Sequence, residues 1–263
     1  MVDDGQPGLI FRVAIPARYH SSRLPGKLLR EIGGVPMIEH VHRRALESGA
    51  RSVIVATDDR RIQRVCERFG AQVCLTDSQH QSGTDRIAEA AHALGWAEDE
   101  IVVNLQGDEP LMPPNLVRQV AEGLMNHKDA GIATLSTSIL ESRELFDPHV
   151  VKVVTDHQGY ALYFSRAPVP WHREEFATAP DRLPTGGVFK RHLGIYAYRA
   201  GVLNGYASLP DSMLEQAESL EQLRALDAGV RIYVDVAEAS PPPGVDTEAD
   251  LIRVNAALCG KGR

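Results

Sequence analysis

Cysteine is scarce in this chain of 263 residues. The three cysteines form no Cys-x-x-Cys pair and no Cys/His cluster, which excludes a disulfide framework and a zinc-ribbon site, so we expect reduced thiols in a cytoplasmic protein. No apolar run approaches the length of a membrane span. The N-terminus is acidic and lacks the basic start and apolar core of a signal peptide. We therefore expect no membrane partner.

Several familiar catalytic motifs are also missing. No Gly-x-Gly-x-x-Gly follows the first apolar run, and Gly26-Lys27 is followed by leucine, so neither a dinucleotide fingerprint nor a Walker P-loop is present. No Gly-x-Ser-x-Gly elbow and no His-Glu-x-x-His helix occurs, which removes common serine-hydrolase and zinc-protease classes. Any phosphate must therefore be held by side chains together with loop backbone.

Excess positive charge is absent too. The formal net charge is −7 and the pI is about 5.8, which argues against a nucleic-acid-binding surface and favours a small anionic partner for any local basic segment. The chain is 43% hydrophobic and 24% charged, as expected of an ordinary globular protein. We predict a single domain over residues 1–263 with a flexible tail at residues 1–9.

Short apolar stretches alternate with amphipathic stretches along the first half of the chain. The predicted strands are residues 10–15, 52–57, 71–76 and 101–105. The predicted helices are residues 36–47, 60–69 and 85–94. Repeated βαβ units indicate an α/β fold in which a mainly parallel, twisted sheet is flanked by helices on both faces.

The second half begins with a different pattern. Residues 150–166 alternate like a hairpin around Asp-His-Gln-Gly at 156–159, and residues 188–198 supply another strand, which indicates a smaller antiparallel lobe within residues 140–210. The chain then returns to α/β character. The predicted elements there are a helix at 212–228, a strand at 230–236 and a helix at 247–258.

Three cations follow the first predicted strand. We expect that strand to end at Pro16, which puts Arg18, Arg23 and Lys27 in a loop beyond its carboxyl end, where open α/β sheets bind their ligands. The alternative is a solvated basic loop, because cations are usually surface residues. The pattern has the outline of a phosphate site.

Two acidic residues are candidates for holding a hard cation. Asp108 follows the apolar strand at 101–105, and a carboxylate there suits Mg²⁺, although the residue could instead stabilise its own turn before a proline. Asp246 lies at the start of the last predicted helix. Capping explains it equally well, since Thr247 and Asp250 resemble a capping box and either Asp246 or Thr247 could cap.

The segment His-Gln-Ser-Gly-Thr-Asp at 80–85 opens the third predicted helix. Ser82 with Asp85 fits a capping box, which needs no ligand. Free backbone N–H groups at a helix start, with Gly83 allowing close approach, could equally contact a base or a ribose. Both interpretations stay open from the residues alone.

Two further motifs, Tyr-Ala-Leu-Tyr-Phe-Ser-Arg and Arg-His-Leu-Gly-Ile-Tyr, complete the pattern. Together with the segments above, they resemble the CMP-Kdo synthetase family, the 3-deoxy-manno-octulosonate cytidylyltransferases, from residue 11 to residue 255. The segments involved are residues 15–27, 80–84, 106–110, 160–166, 191–196 and 244–247. The resemblance implies a Rossmann-like nucleotidyltransferase fold, with sugar binding and dimerisation in the lobe at residues 140–210.

The resemblance also implies a reaction and a nucleotide site. CTP and Kdo (3-deoxy-D-manno-octulosonate) would give CMP-Kdo and pyrophosphate for lipopolysaccharide biosynthesis, by Mg²⁺-dependent in-line attack of the sugar's anomeric hydroxyl on the α-phosphate. The implied catalytic residues are Arg18, Lys27 and Asp108, with Asp108 and Asp246 as metal ligands. The implied nucleotide-binding residues are Pro16, Ala17, Arg18, Arg23, Lys27, Ser82, Gly83, Thr84 and Gln106.

A second set of residues is implied for the sugar acid. These are Gln106, Arg166, His192, Tyr196, Glu221 and Gln222. Alternatives exist: Tyr196 as strand packing, Arg166 in a surface ion pair and His192 as a satisfied interior histidine. Glu221 lies seven residues after Leu214, so we expect the two to share a helical stripe, where sugar hydroxyls or Arg224 would be the partner of the carboxylate.

The family pattern further suggests a homodimer with its interface in the antiparallel lobe. Two other functions stay open from the sequence. One is a sister enzyme that activates a sialic acid or an amino-substituted Kdo analogue. The other is a non-catalytic CTP-sensing module.

Overall fold

Strands and helices alternate along the chain in the computed structural model, which describes residues 8–21, 23–80 and 82–259. Most of the predicted tail at residues 1–9 therefore lies outside the described residues. Within them, the strands are β1 (Phe11–Ala17), β2 (Glu31–Ile32), β3 (Val35–Pro36), β4 (Ser52–Thr57), β5 (Gln72–Leu75), β6 (Ile101–Asn104), β7 (Ile132–Ser138), β8 (Lys152–Thr155), β9 (Ala161–Ser165), β10 (Lys190–Arg199) and β11 (Ile232–Val236).

Helices fill most of the connections between these strands, and a 3-10 turn, Lys27–Leu29, follows β1. The helices of the described residues are α1 (Met37–Glu47), α2 (Arg60–Arg68), α3 (Gly83–Ala93), α4 (Pro114–Asn126), α5 (Ser142–Phe146), α6 (Arg173–Thr178), α7 (Ala200–Tyr206), α8 (Met213–Glu218), α9 (Gln222–Asp227) and α10 (Glu248–Cys259). Most predicted boundaries agree with these to within two residues.

The main sheet has the strand order β11-β7-β10-β6-β1-β4-β5. Neighbouring strands are parallel except where β10 runs antiparallel to both β6 and β7. The predicted hairpin is present as β8 and β9, and it joins the main sheet because Arg191 of β10 pairs with Lys152 of β8. The predicted class, a mainly parallel sheet with helices and a smaller antiparallel part, is confirmed.

Two cores lie on opposite faces of the sheet. Along β1, Val13 and Ile15 belong to one cluster of buried residues, whereas Ala14 between them belongs to the other. Val103 and Val102 of β6 divide in the same way. Because successive side chains of a strand point to opposite faces, a continuous apolar strand supplies both cores. Because both faces of β1 and β6 are buried, the carboxyl ends of these strands, where the site lies, are held in fixed positions.

The expected end of the first strand at Pro16 is wrong, because β1 continues to Ala17 and Pro16 pairs with Ala56 of β4. The Ala14 carbonyl accepts the Leu105 N–H, so Ala14 and, two residues on, Pro16 face β6. Pairing with β6 stops at Ala14. The proline therefore costs the sheet no hydrogen bond, and the site loop begins one residue later than predicted.

The predicted helix at 212–228 is also wrong, because the chain forms two short helices there. Ser219 adopts the left-handed conformation (φ 51°) after α8, and α9 begins only at Gln222. Leu214 and Glu221 consequently do not share a helical stripe. The residues around the break are polar, as on the surface of a helix. The periodicity of the sequence therefore did not reveal the break.

The cysteines of the described part of the chain are free thiols. Cys66 is buried, and burial raises the pKa of its thiol to about 12, so it is an inert core residue. Cys74 is half-buried, and the side chain of Cys259 lies outside the described residues. Among the helices described, none is long and apolar enough to span a membrane.

Candidate active site

A cavity of about 890 Å³ opens at the carboxyl ends of strands β1 and β6. This is the edge at which open α/β sheets bind ligands. Its lining residues are Pro16, Ala17, Arg18, His20, Ser21, Arg23, Lys27, Leu28, His80, Ser82, Gly83, Arg86, Gln106, Gly107, Asp108, Glu221 and Asp246. The structure thus brings together three predicted motifs, at 16–27, 82–83 and 106–108, with Asp246 from far along the chain.

The basic loop is held in shape by Tyr19. The Gly26 N–H donates to the Tyr19 carbonyl (3.2 Å), and a Cβ at Gly26 would lie only 3.1 Å from the Tyr19 ring. On α2, the Arg61 guanidinium lies 3.3 Å from the centroid of that ring, and Asp59 holds the guanidinium with two hydrogen bonds of 3.0 and 2.6 Å. A glycine with positive φ is required at this close contact (φ 64°).

Lys27 bridges the two predicted metal ligands. Its Nζ donates to Asp108 Oδ2 (2.6 Å), to Asp246 Oδ1 (3.1 Å) and to the Val245 carbonyl (3.2 Å). Arg23 contacts the other oxygen of Asp246 at 3.0 Å. Arg18 is exposed and forms no ion pair within the described residues. Two of the three predicted phosphate ligands, Arg23 and Lys27, are therefore partners of the predicted metal ligands in this structure.

The backbone near Asp246 is fixed independently of its carboxylate. The Val245 N–H donates to the Asp108 carbonyl (2.8 Å). Thr247 caps α10, because its hydroxyl accepts the Asp250 N–H (3.2 Å) while the Asp250 carboxylate accepts the Thr247 N–H (3.0 Å). The capping box therefore belongs to Thr247 and Asp250, which leaves the Asp246 carboxylate facing the cavity.

The site suits a cation that takes few protein ligands. No group of three His, Cys, Asp or Glu side chains with metal-binding spacing occurs in the described residues. Asp108 and Asp246 nevertheless converge on one cation, the Lys27 ammonium. Mg²⁺ usually takes one or two carboxylates and completes its shell with phosphate and water. Two converging carboxylates beside a cationic loop fit that chemistry.

Glu109, next to Asp108, is held neutral. Burial, and then the neighbouring Asp108 charge, raise the pKa of Glu109 to about 8, and its Oε2 has no hydrogen-bond partner in the described part of the chain. The carboxyl is therefore mostly protonated at pH 7. Asp108 and Asp246 supply the negative charge on this side of the cavity.

The start of α3 forms the opposite wall. Ser82 caps the helix by accepting the Asp85 N–H (3.1 Å), as the capping-box pattern predicted. A Cβ at Gly83 would lie 3.2 Å from Pro16, so glycine lets this helix start meet β1. Ser82 also lines the cavity, so capping and ligand binding are compatible for this residue.

Glu221 reaches the same wall from the loop before α9. Burial raises the pKa of its carboxyl, and hydrogen bonding with Ser82 and Thr84 partly offsets that rise. The predicted partner Arg224 instead binds Glu215 through two hydrogen bonds (2.6 and 2.8 Å). Arg224 therefore gives its hydrogen bonds to Glu215, and it acts on the Glu221 carboxyl through its charge.

Other residues predicted for substrate binding do not line the cavity. They are Thr84, Arg166, His192, Tyr196 and Gln222. Arg166 donates to backbone carbonyls of Glu218 (2.6 Å) and Pro148 (2.8 Å), while the buried Lys152 ammonium donates to the Arg166 carbonyl (2.6 Å). Arg166 thus links the β8–β9 hairpin to the end of α8, and its role toward a substrate stays a prediction.

His192 and Tyr196 lie together on β10. The His192 Nε2 is 3.0 Å from the Thr134 hydroxyl, and its ring contacts those of Phe164 and Tyr196. Protein surrounds most of the imidazole, and this burial lowers the pKa of His192 to about 3. The histidine is therefore neutral at physiological pH, and its role toward a sugar stays a prediction.

Sequence reasoning did not assign several residues that line the cavity. His80 interacts with Glu89, and the buried Arg86 donates to the Thr76 hydroxyl (2.6 Å). Both flank the Ser-Gly-Thr motif, which was the available signal. His20 and Ser21 belong to the basic loop, between Arg18 and Arg23, and also line the cavity.

The fold and this site define a nucleotidyltransferase, and comparisons identify its family. The sequence profile of the family described as Cytidylyltransferase matches residues 13–232. The chain therefore belongs to the cytidylyltransferase family, with relatives named 3-deoxy-manno-octulosonate cytidylyltransferase. One, from Pasteurella multocida (strain Pm70), is 55% identical over 254 residues, which cover 94% of this chain and 98% of the relative.

Further comparisons agree. A relative of the same name from Coxiella burnetii (strain RSA 493 / Nine Mile phase I) is 56% identical over 246 residues, covering 94% of this chain and 98% of that protein. A solved structure described as CMP:2-keto-3-deoxy-manno-octonic acid synthetase complexed with CTP is 44% identical, with a TM-score of 0.86, covering 96% of this chain and 99% of that one. A nucleotidyl transferase from Methanothermobacter thermautotroptrophicus, with a TM-score of 0.61 and 18% identity, shares the fold.

The neutral state of His192 predicts a pH dependence of stability. Between about pH 3 and 6.5 the unfolded chain binds a proton at His192 that the folded chain does not, so stability falls as the pH drops below 6.5. The contribution is about 1 kcal/mol per pH unit. Urea unfolding at pH 5.5 and pH 7 should show a shallower dependence for His192→Gln than for the parent chain. The exposed His157→Gln serves as control, and equal slopes in all three proteins would contradict the prediction.

Proposed function

We propose that the protein transfers a cytidylyl group from CTP to Kdo, giving CMP-Kdo and pyrophosphate. The observation that carries the proposal is the convergence of Arg23 and Lys27 with Asp108 and Asp246 at one edge of the sheet, in a chain of the cytidylyltransferase family. The names of relatives at 55% and 56% identity support Kdo as the acceptor, and the CTP in the solved relative supports CTP as the donor.

The chemistry requires alignment and charge compensation more than a nucleophilic side chain. The anomeric hydroxyl of Kdo attacks the α-phosphorus of CTP, a new P–O bond forms, and the bond to the bridging oxygen breaks as pyrophosphate leaves. The proton of the attacking hydroxyl passes to solvent in this step. Positioned cations that stabilise developing charge are the protein's main contribution.

The residues of the cavity have separate roles in this reaction. Arg18, Arg23 and Lys27 bind the triphosphate, and Lys27 offsets the charge that grows on the leaving pyrophosphate. Ser82 and Gly83, with Thr84 behind them, contact the cytosine and ribose, and Pro16, Ala17 and Gln106 line the same nucleotide pocket. Pro16 and Gly83 pack against each other in this wall, and neither carries a charge.

Asp108 and Asp246 are the residues that would hold Mg²⁺. When bound, the metal supplies Lewis-acid stabilisation of the phosphate and lowers the pKa of a coordinated hydroxyl. The protein then needs no separate general base. The cytoplasmic location, expected from the cysteine pattern, and the lipopolysaccharide destination, implied by the resemblance, both stay predictions.

Pyrophosphate release tests the function. We expect release only when CTP, Kdo and Mg²⁺ are all present, and Asp108→Asn should lower kcat at least about 100-fold because metal stabilisation is worth several kcal/mol. Glu248→Gln changes an exposed carboxylate outside the cavity and should keep normal kcat. No release from folded parent protein would refute the proposal, a strong preference for a sialic acid or amino-Kdo would replace the acceptor, and normal kcat in Asp108→Asn would remove the metal assignment.

The sugar-acid residues are proposed to be Gln106, Arg166, His192, Tyr196, Glu221 and Gln222. Arg166→Ala should raise KM for Kdo by about tenfold or more, the effect of losing one hydrogen bond to a charged group, and leave KM for CTP within about twofold. Arg191→Ala, which removes a half-buried arginine on neighbouring β10, is the control. Equal changes of both KM values would take Arg166 out of the sugar site.

A homodimer is proposed as well, because large apolar side chains are exposed on the segment that holds the hairpin. Leu140, Leu162, Trp171 and Val188, all within residues 140–210, are each more than half exposed. A second copy covering them would remove this apolar surface from water.

Light scattering tests this assembly. Leu162→Glu (60% exposed in the parent) should shift the dimer toward monomer, because it buries a charge at the interface, whereas Ile252→Glu (65% exposed, on α10) should not. A monomeric parent protein at assay concentrations, or a stable dimer of Leu162→Glu, would contradict the proposed interface.

A further inference from the structure

Four of the charged groups that line the cavity contact one another. Lys27 Nζ contacts one oxygen of Asp108 at 2.6 Å and one of Asp246 at 3.1 Å, and Arg23 contacts the remaining oxygen of Asp246 at 3.0 Å. Two cations and two carboxylates therefore neutralise one another. We call Arg23, Lys27, Asp108 and Asp246 the charge network.

Under the proposed function, every member of the charge network must change partner. The cations are needed by the phosphates, and the carboxylates are needed by the metal. A metal ion and the Lys27 ammonium compete for the same oxygens, Asp108 Oδ2 and Asp246 Oδ1. Coordination of those oxygens is therefore incompatible with the present position of the ammonium.

We propose that the charge network is an exchange device that couples nucleotide binding to metal binding. Lys27 occupies the metal ligands in the free protein, the triphosphate draws it away, and the carboxylates then become available to the metal. The inference rests on the proposed function for the identity of the two ligands. It concerns the free protein, and it assigns Lys27 a second role as the cation that masks the metal ligands.

The exchange makes the two ligands cooperative. A metal that binds alone must displace Lys27 and leave it without a counter-ion, and a triphosphate that binds alone leaves two uncompensated carboxylates nearby. Each ligand removes the cost that the other faces. Because coupling between two sites is reciprocal, the same factor must appear in both affinities.

Lys27 carries more of this coupling than Arg23. The Lys27 side chain is 15% exposed, whereas that of Arg23 is 64% exposed. An ion pair at an exposed arginine is screened by water and contributes little, whereas a half-buried ammonium between two carboxylates is screened less. Variants of Lys27 therefore test the proposal most directly.

The first experiment measures Mn²⁺ binding to the nucleotide-free protein by electron paramagnetic resonance. Lys27→Met should bind Mn²⁺ more tightly than the parent chain, by a factor within about 5 to 150, the usual range of coupling between sites. Arg18→Met is the matched control, because Arg18 lines the same cavity but contacts neither carboxylate. Unchanged Mn²⁺ affinity in Lys27→Met, or equal tightening in Arg18→Met, would overturn the proposal.

The second experiment measures CTP binding by calorimetry in EDTA, without metal. Asp108→Asn should bind metal-free CTP more tightly than the parent chain, since Lys27 is then partly released. The same substitution in a Lys27→Met background should tighten CTP binding much less, and this difference separates the exchange from simple removal of negative charge. Equal tightening in both backgrounds would refute the exchange.

A third measurement separates this inference from the proposed function. The parent protein should bind CTP when Mg²⁺ is present. If it does not, the proposed function fails, and the exchange of partners fails with it as an account of CTP binding. If the parent protein does bind CTP, but the Lys27 variant does not change Mn²⁺ affinity and the Asp108 variant tightens CTP binding equally in both backgrounds, only the exchange is wrong.

Discussion

The ion pairs of Lys27 depend on a fold that brings three remote parts of the chain to one point. Lys27 and Asp108 are 81 residues apart and Lys27 and Asp246 are 219 apart, yet both pairs are in hydrogen-bond contact. Contacts of that separation are entropically costly, so they require a sheet that holds the remote segments together. The buried apolar runs of β1 and β6 meet this requirement, because their pairing sets the two strand ends side by side.

Much of this arrangement could be predicted from the sequence, because its parts are local. Apolar runs separated by amphipathic stretches predicted the parallel strands, and the Thr247–Asp250 capping box predicted the start of α10. Prediction was wrong where the decisive fact is not local. Pro16 was predicted to end the first strand. A proline is tolerated within β1 because β1 still pairs with β4 at this residue, whereas the pairing of β1 with β6 has already stopped at Ala14.

The candidate site shows the same division. Arg23, Lys27, Asp108 and Asp246 were predicted from their positions after strands and before a helix, and they converge on one cavity. Glu221 was implied by the family resemblance, and it lines the cavity, although the helical stripe expected for it does not exist because Ser219 breaks the helix. The pairing of these cations with these acids was not predictable, because it depends on contacts between segments that lie 81 and 219 residues apart.

The use of lysine rather than arginine at the centre of the site follows from the exchange it is proposed to make. An ammonium is a compact charge on a flexible four-carbon stem. Its three N–H groups can donate to oxygens in many arrangements, whether the oxygens belong to carboxylates or to phosphates. A guanidinium prefers fixed bidentate geometry, which favours one partner over another. The 3-10 turn at Lys27–Leu29 and the Tyr19 contact fix the backbone. Movement is thereby confined to the side chain, so a change of partner requires no rearrangement of the sheet edge.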